Sequence, residues 1–119
     1  MNIENINKVI NYIEDMSDDQ LATMNWWEET DCLTGIVKQV FHDQLEITDV
    51  PPGRGPIAIR RALEINPTQA CYLYYLGPYY LGPNSVSAFN ALPPAIKRNV
   101  LVTALSALRD TGELIIKLP

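Results

Sequence analysis

Apolar positions three and four residues apart dominate this chain, and that spacing places side chains along one side of an α-helix. Ile3, Ile6, Val9, Ile10 and Ile13 form the first such stripe, which predicts an N-terminal helix ending near Met16. Ser17 then caps a second, short helix. Gln20 follows three residues on to complete a capping box, Asp18 and Asp19 sit in the positive first turn, and Leu21 and Met24 face inward. After Asn25-Trp26-Trp27, a stripe of Leu33, Ile36, Val37, Val40 and Phe41 predicts a central core helix capped by Thr30 or Asp31.

The pattern changes in the middle of the chain. Residues 45–50, LEITDV, alternate in polarity and predict a short strand, and the following VPPGRGP is a loop by its proline and glycine content. Pro56 opens a fourth helix that continues through Ile59, Ala62 and Leu63. In Asn66-Pro67-Thr68-Gln69 an N-cap residue precedes a proline at the first helical position and a glutamine at the third, which starts a fifth helix running to about Leu76. That helix ends inside a direct repeat, YYLGPYYLGP at 74–83. Gly77 is expected to take the left-handed conformation that closes a helix, Pro78 stops it, and the second copy is a turn ended the same way. A helical turn is expected around 85–91, and a last long helix begins at Pro94, with Ile96, Val100, Leu101, Ala104, Leu105 and Leu108 on one face and Gly112 as its C-cap. The tail ELIIKL is β-prone and can pair with LEITDV as a minor two-stranded ribbon. The expected fold is therefore all-α or nearly so: one compact domain over residues 1–119, a bundle of five to six short helices.

Composition supports that reading. With 119 residues, 47% of them apolar and 19% charged, the chain has the size and content of one domain with its own core and is not of the disordered class. No apolar run approaches the roughly 18 residues that span a bilayer, and the start MNIENINK lacks a signal peptide's basic and apolar regions, so a cytoplasmic protein without a membrane partner is expected. Cys32 and Cys71 fit that compartment as reduced, packed thiols. The net charge of −5 conceals a division: residues 1–49 hold eleven Asp and Glu against Lys8 and Lys38, whereas residues 50–119 hold three acids against seven bases. Such an asymmetry can steer association with a charged partner or simply reflect solvated helix faces.

Candidate chemistry is sparse. His42 is the sole histidine and stands ten residues from Cys32, so neither a zinc site nor a Cys-His nucleophile is expected, and no catalytic residue or cofactor is assigned. Gly53-Arg54-Gly55-Pro56 before a helix, with Arg60 and Arg61 close by, suggests an anion site. It lacks the Lys-Ser or Lys-Thr of a Walker loop, and Pro56 removes a donor. The acidic chain has no basic stripe interleaved with aromatics, so a nucleic-acid partner is not expected. The aromatic clusters are the stronger signal. Tyr72, Tyr74, Tyr75, Tyr79 and Tyr80 fall within nine residues, and in a helix ending at Leu76 positions 72, 74 and 75 cannot all face one core. Trp26 and Trp27, about 100° apart on a helix, divide between core and surface. Tyrosine and tryptophan are enriched at interface hot spots, and they also cover core edges with their polar tips wet.

INKVINYIED, NWWEETDCLTGIVKQV, ALEINPTQACYLYY and ALSALRDTGE follow one another in an order that resembles a group of small uncharacterised helical proteins of bacteria and their phages. Those proteins share an isoleucine-rich first helix, a Trp or Phe before Cys-Gly-Thr-x-x-Cys-Ile-Ala-Gly, a segment like LGLTPEQAxxLF and an ending like LxxTGE. Cys32 and Thr34 match; Leu33 replaces the glycine and Val37 stands where the second cysteine would be, so no paired-cysteine metal or redox role carries over. The resemblance implies a helical fold and a bacterial or phage setting. The expectation is a non-enzymatic protein that binds another protein, a second copy of itself included. It would act as a regulator or inhibitor carried by a phage or mobile element, for example against a bacterial defence system. Trp26, Trp27, Tyr74, Tyr75, Tyr79, Tyr80 and the acidic half would make the contact surface. The alternative is a small-molecule or anion-binding domain built on Arg54, Arg60, Arg61 and nearby tyrosines.

Overall fold

The isoleucine stripe becomes the first helix, α1 (Ile3–Asp15), in the computed structural model, which describes residues 1–26, 28, 32–76, 83–116 and 118, with 83–85 described by backbone alone. Ile6, Val9, Ile10 and Ile13 are buried, whereas Ile3, at the open end of the stripe, is 43% exposed. Asn2 caps α1 by accepting a hydrogen bond from the Asn5 backbone N–H at 2.9 Å. The expected capping box of α2 (Asp18–Ala22) forms in both directions between Ser17 and Gln20.

The third helix, α3 (Leu33–Val40), is capped by Cys32 without a side-chain bond rather than by Thr30 or Asp31, which lie outside the described residues. Residues 45–50 correct the strand expectation. Leu45–Thr48 is a four-residue helix, α4, because the buried positions are Ile47 and Val50, three apart as on a helix, while Leu45 is 67% exposed. Two long side chains hold the segment: Arg61 Nη1 donates to the Glu46 carbonyl at 2.7 Å, and Lys38 Nζ donates to the Val50 carbonyl at 2.7 Å. The tail at 113–116 is non-helical, and no strand occurs among the described residues, so the ribbon does not form there.

Helices α5 (Gly55–Leu63) and α6 (Pro67–Tyr75) pack on one another as a hairpin. The Asn66/Gln69 box opens α6 as expected. It closes one residue earlier than expected, through Leu76 in the left-handed region at φ 54°, and Gly77 lies outside the described residues. A left-handed leucine costs about 1–2 kcal/mol, which the burial of its side chain at 2% exposure offsets with roughly 1.5–3 kcal/mol. The turn expected at 85–91 is a full helix, α7 (Pro83–Asn90), and α8 (Pro94–Thr111) is the longest element, ended by Gly112 at φ 75° as expected.

Eight helices among the described residues thus replace the five or six expected, and the fold is all-α. Helix α1 lies on α8 and also touches α3 and α5, so it joins the α2/α8 side to the α3/α4/α5/α6 side. The helix ends are tied by polar bonds: the Asn2 N–H donates to the Leu63 carbonyl at 2.8 Å, Asn5 Nδ2 to the Ala62 carbonyl at 2.8 Å, and Gln69 Nε2 to the Gly112 carbonyl at 2.9 Å. The radius of gyration of 12.9 Å is close to the roughly 13.5 Å expected for one packed unit of this length.

Candidate functional site

Trp26 is a core residue, which corrects its place on the expected contact surface. It is 4% exposed, its ring meets Phe89 edge to face at 5.0 Å, its Nε1–H donates to the Tyr74 carbonyl at 2.9 Å, and its backbone N–H donates to Asn90 Oδ1 at 2.8 Å. Loop 24–26 is thereby fixed to α6 and α7. Tyr74 and Tyr75 are half-buried and meet edge to face at 5.0 Å. Tyr74 is structural as well, since its ring lies against Gly55 at the start of α5. Trp27, Tyr79 and Tyr80 lie outside the described residues. Of the six aromatics, Tyr75 and part of Tyr74 are the described ones with surface to offer.

The three arginines do not converge. Arg54 is the exposed N-cap of α5, and Arg60 lies about 9 Å further along the helix at 1.5 Å per residue. Arg61 turns to α4, where its guanidinium holds the Glu46 carbonyl. Arg60 alone lines an open cleft of about 270 Å³ between α5 and α6, together with Pro56, Ile57, Pro67, Ala70 and Cys71. Sequence reasoning placed all three near one anion site; only the packing of α6 on α5 distinguishes them.

A second cleft was not foreseen. About 240 Å³ in volume, it opens between α1, α2 and α3, with Tyr12, Met16, Met24 and Ile36 giving apolar surface and Gln20 and Gln39 polar surface. The helices that line it, α1 and α2, also carry much of the acidic part of the chain. Glu14, Asp15, Asp18 and Asp19 interleave in sequence with the lining residues Tyr12, Met16 and Gln20, and all four are exposed. Asp18 receives Arg98 Nη2 at 3.0 Å; no ion pair forms at Glu14, Asp15 or Asp19 among the described residues. The other described carboxylates of residues 1–49, Glu4, Glu28, Asp43, Glu46 and Asp49, are exposed too. Methionines at 16 and 24 flanking a capped short helix were the available sequence signal for the cleft.

Lys97 was also missed. It is 1% exposed, with Nζ donating to the Leu21 and Met24 carbonyls at 3.0 and 3.2 Å and lying 5.9 Å from the centre of the Phe89 ring. Burial pushes its pKa below the ordinary lysine value of 10.5. The signal was in the spacing: Lys97 stands three and four residues before Val100 and Leu101, on the buried stripe of α8, whereas Ile96, expected on that stripe, is 37% exposed. His42 is exposed beside Asp43 and Cys32 is buried; among the described residues no three His, Cys, Asp or Glu side chains come together to hold a metal ion. No described helix is long and apolar enough to cross a membrane. No family model, curated protein or solved structure matches the chain.

Proposed function

We propose that this chain binds another protein through its α1–α2 face and regulates or inhibits that partner by occupying a basic segment of it. The supporting observation is the set of four exposed carboxylates on α1 and α2, three of them without ion pairs among the described residues, carried by the same helices that supply Tyr12, Met16 and Gln20 to the cleft. Exposed charges of one sign raise the encounter rate with a partner of the other sign. Methionine and tyrosine side chains supply adaptable or rigid apolar contact. The matching partner segment has an apolar side chain for the cleft and lysines or arginines on either side of it. Tyr74 and Tyr75 do not line this cleft and are not needed for this contact.

Selection from a random peptide library tests the reading. Peptides with an apolar residue flanked by Lys or Arg should be enriched, and their affinity should fall about tenfold or more between low and high salt, because exposed pairs are screened over roughly 8 Å at physiological ionic strength. The variant Glu14→Gln, Asp15→Asn, Asp19→Asn removes three carboxylates that have no ion pair in the fold and should lose the enriched peptides with its melting temperature kept. Enrichment of neutral or acidic peptides, or undiminished binding by the triple variant, would overturn the proposal.

A further inference from the structure

Among the described residues the α5–α6 cleft has one charged lining residue, Arg60, set against apolar surface from Pro56, Ile57, Pro67 and Ala70. Among the described residues Arg60 has no side-chain hydrogen bond or ion pair, in contrast to Arg61 with the Glu46 carbonyl and Arg109 with Asp110 and Asn7. Glu64, four residues on, is the nearest carboxylate along α5; it accepts from Asn2 Nδ2 at 2.6 Å and does not line the cleft. Pro67, at the first position of α6, brings the positive end of a nine-residue helix to the same cleft. We infer that this cleft binds a small organic carboxylate with an apolar body, its carboxylate held by the Arg60 guanidinium and its body laid over Ile57, Ala70 and the two prolines.

Three features of the cleft select that class. An unpaired guanidinium presents two parallel donors that match the two oxygens of a carboxylate. Among the described residues no acidic side chain lines the cleft, so a cationic ligand meets the repulsion of Arg60 with nothing to balance it. A volume of about 270 Å³ lies just under the roughly 300–1,000 Å³ of ordinary ligand pockets, which suits a ligand of modest size and leaves no room for a folded segment. The site is separate from the acidic face and stands or falls independently of it.

Cys71 lines the cleft and is half-buried, whereas Cys32 is 2% exposed. The thiol is therefore a built-in reporter. Alkylation with iodoacetamide, a neutral reagent, followed by peptide mass mapping reads Cys71 separately from Cys32. Octanoate should slow labelling of Cys71 several-fold, while octanol and octylammonium at the same concentration should not. Arg60→Gln should weaken protection by octanoate about tenfold or more, the loss of a charge-assisted pair, with the unprotected labelling rate unchanged. Titration calorimetry of octanoate into the native chain and into Arg60→Gln gives the same comparison without the thiol. Equal protection by octanol, full protection in Arg60→Gln, or no octanoate heat with the native chain would each overturn the inference.

Discussion

A methyl group added at Gly55 would collide with two neighbours at once, the Tyr74 ring edge and Thr34 Oγ1, both well inside 3 Å. In the sequence, this glycine stood in a GRGP loop that suggested a cradle for an anion. Its lack of a side chain instead lets α6 close over the start of α5, with Tyr74 as the wedge. The neighbouring Thr34 hydroxyl is buried with no hydrogen-bond partner among the described residues, so the added methyl meets packed atoms on both sides. Gly55→Ala is expected to destabilise the fold by about 1–3 kcal/mol, the usual cost of overfilling a packed site, read as a lower urea midpoint with an unchanged slope. An unchanged midpoint would show that Tyr74 moves away freely and is no wedge. A single sequence offers no way to tell a glycine kept for a ligand from one kept for a neighbouring ring, because both need the same empty space.

Elements with their own start signals were legible, and those held by distant side chains were not. Both capping boxes formed, at Ser17/Gln20 and Asn66/Gln69, and Gly112 closed α8, since each depends on residues within one turn. LEITDV misled because four residues can satisfy a period of two or of three equally well, and the choice was made by Ile47 and Val50 against the core and by Arg61 from α5. Helix α4 is too short to persist alone. In so short a helix the i+4 donors run out at once, and Arg61 Nη1 donates to the Glu46 carbonyl. Arg61→Ala should therefore raise hydrogen-exchange rates of the amides at 47–50 several-fold while leaving those of α1 and α8 unchanged. Because this arginine is exposed, its global effect should stay within about 1 kcal/mol. Unaltered exchange at 47–50 would mean that burial of Ile47 and Val50 alone holds the helix. The candidate clefts were illegible for a related reason: each is bounded by helices distant in sequence or by the one arginine among three that a neighbouring helix happens to face.

At the scale of the whole molecule, the long helix α8 joins the two ends of the chain through a charge taken out of water. Lys97 is the one buried charged side chain among the described residues, and it reaches across to the last carbonyls around α2, which has no basic residue of its own in its last turn. The ammonium thus stands where a C-terminal cation is favourable, yet burial is the larger influence and lowers its pKa from 10.5. The sign of the resulting pH dependence follows. In the unfolded chain Lys97 keeps its proton up to its ordinary value; in the folded chain it releases it earlier. Between those two values the unfolded state holds more protons, so stability rises with pH. Below the folded value both states are protonated and the cost of burying the charge is constant. The comparison that isolates Lys97 is with Lys97→Met, which keeps the length of the buried stem and removes the titration. The difference in urea midpoint between native chain and variant should shift in favour of the native chain as pH rises through the interval below 10.5, and should be flat near neutrality. Parallel profiles throughout would show that Lys97 releases its proton no earlier folded than unfolded, and that the α2–α8 contact carries no buried charge to relieve.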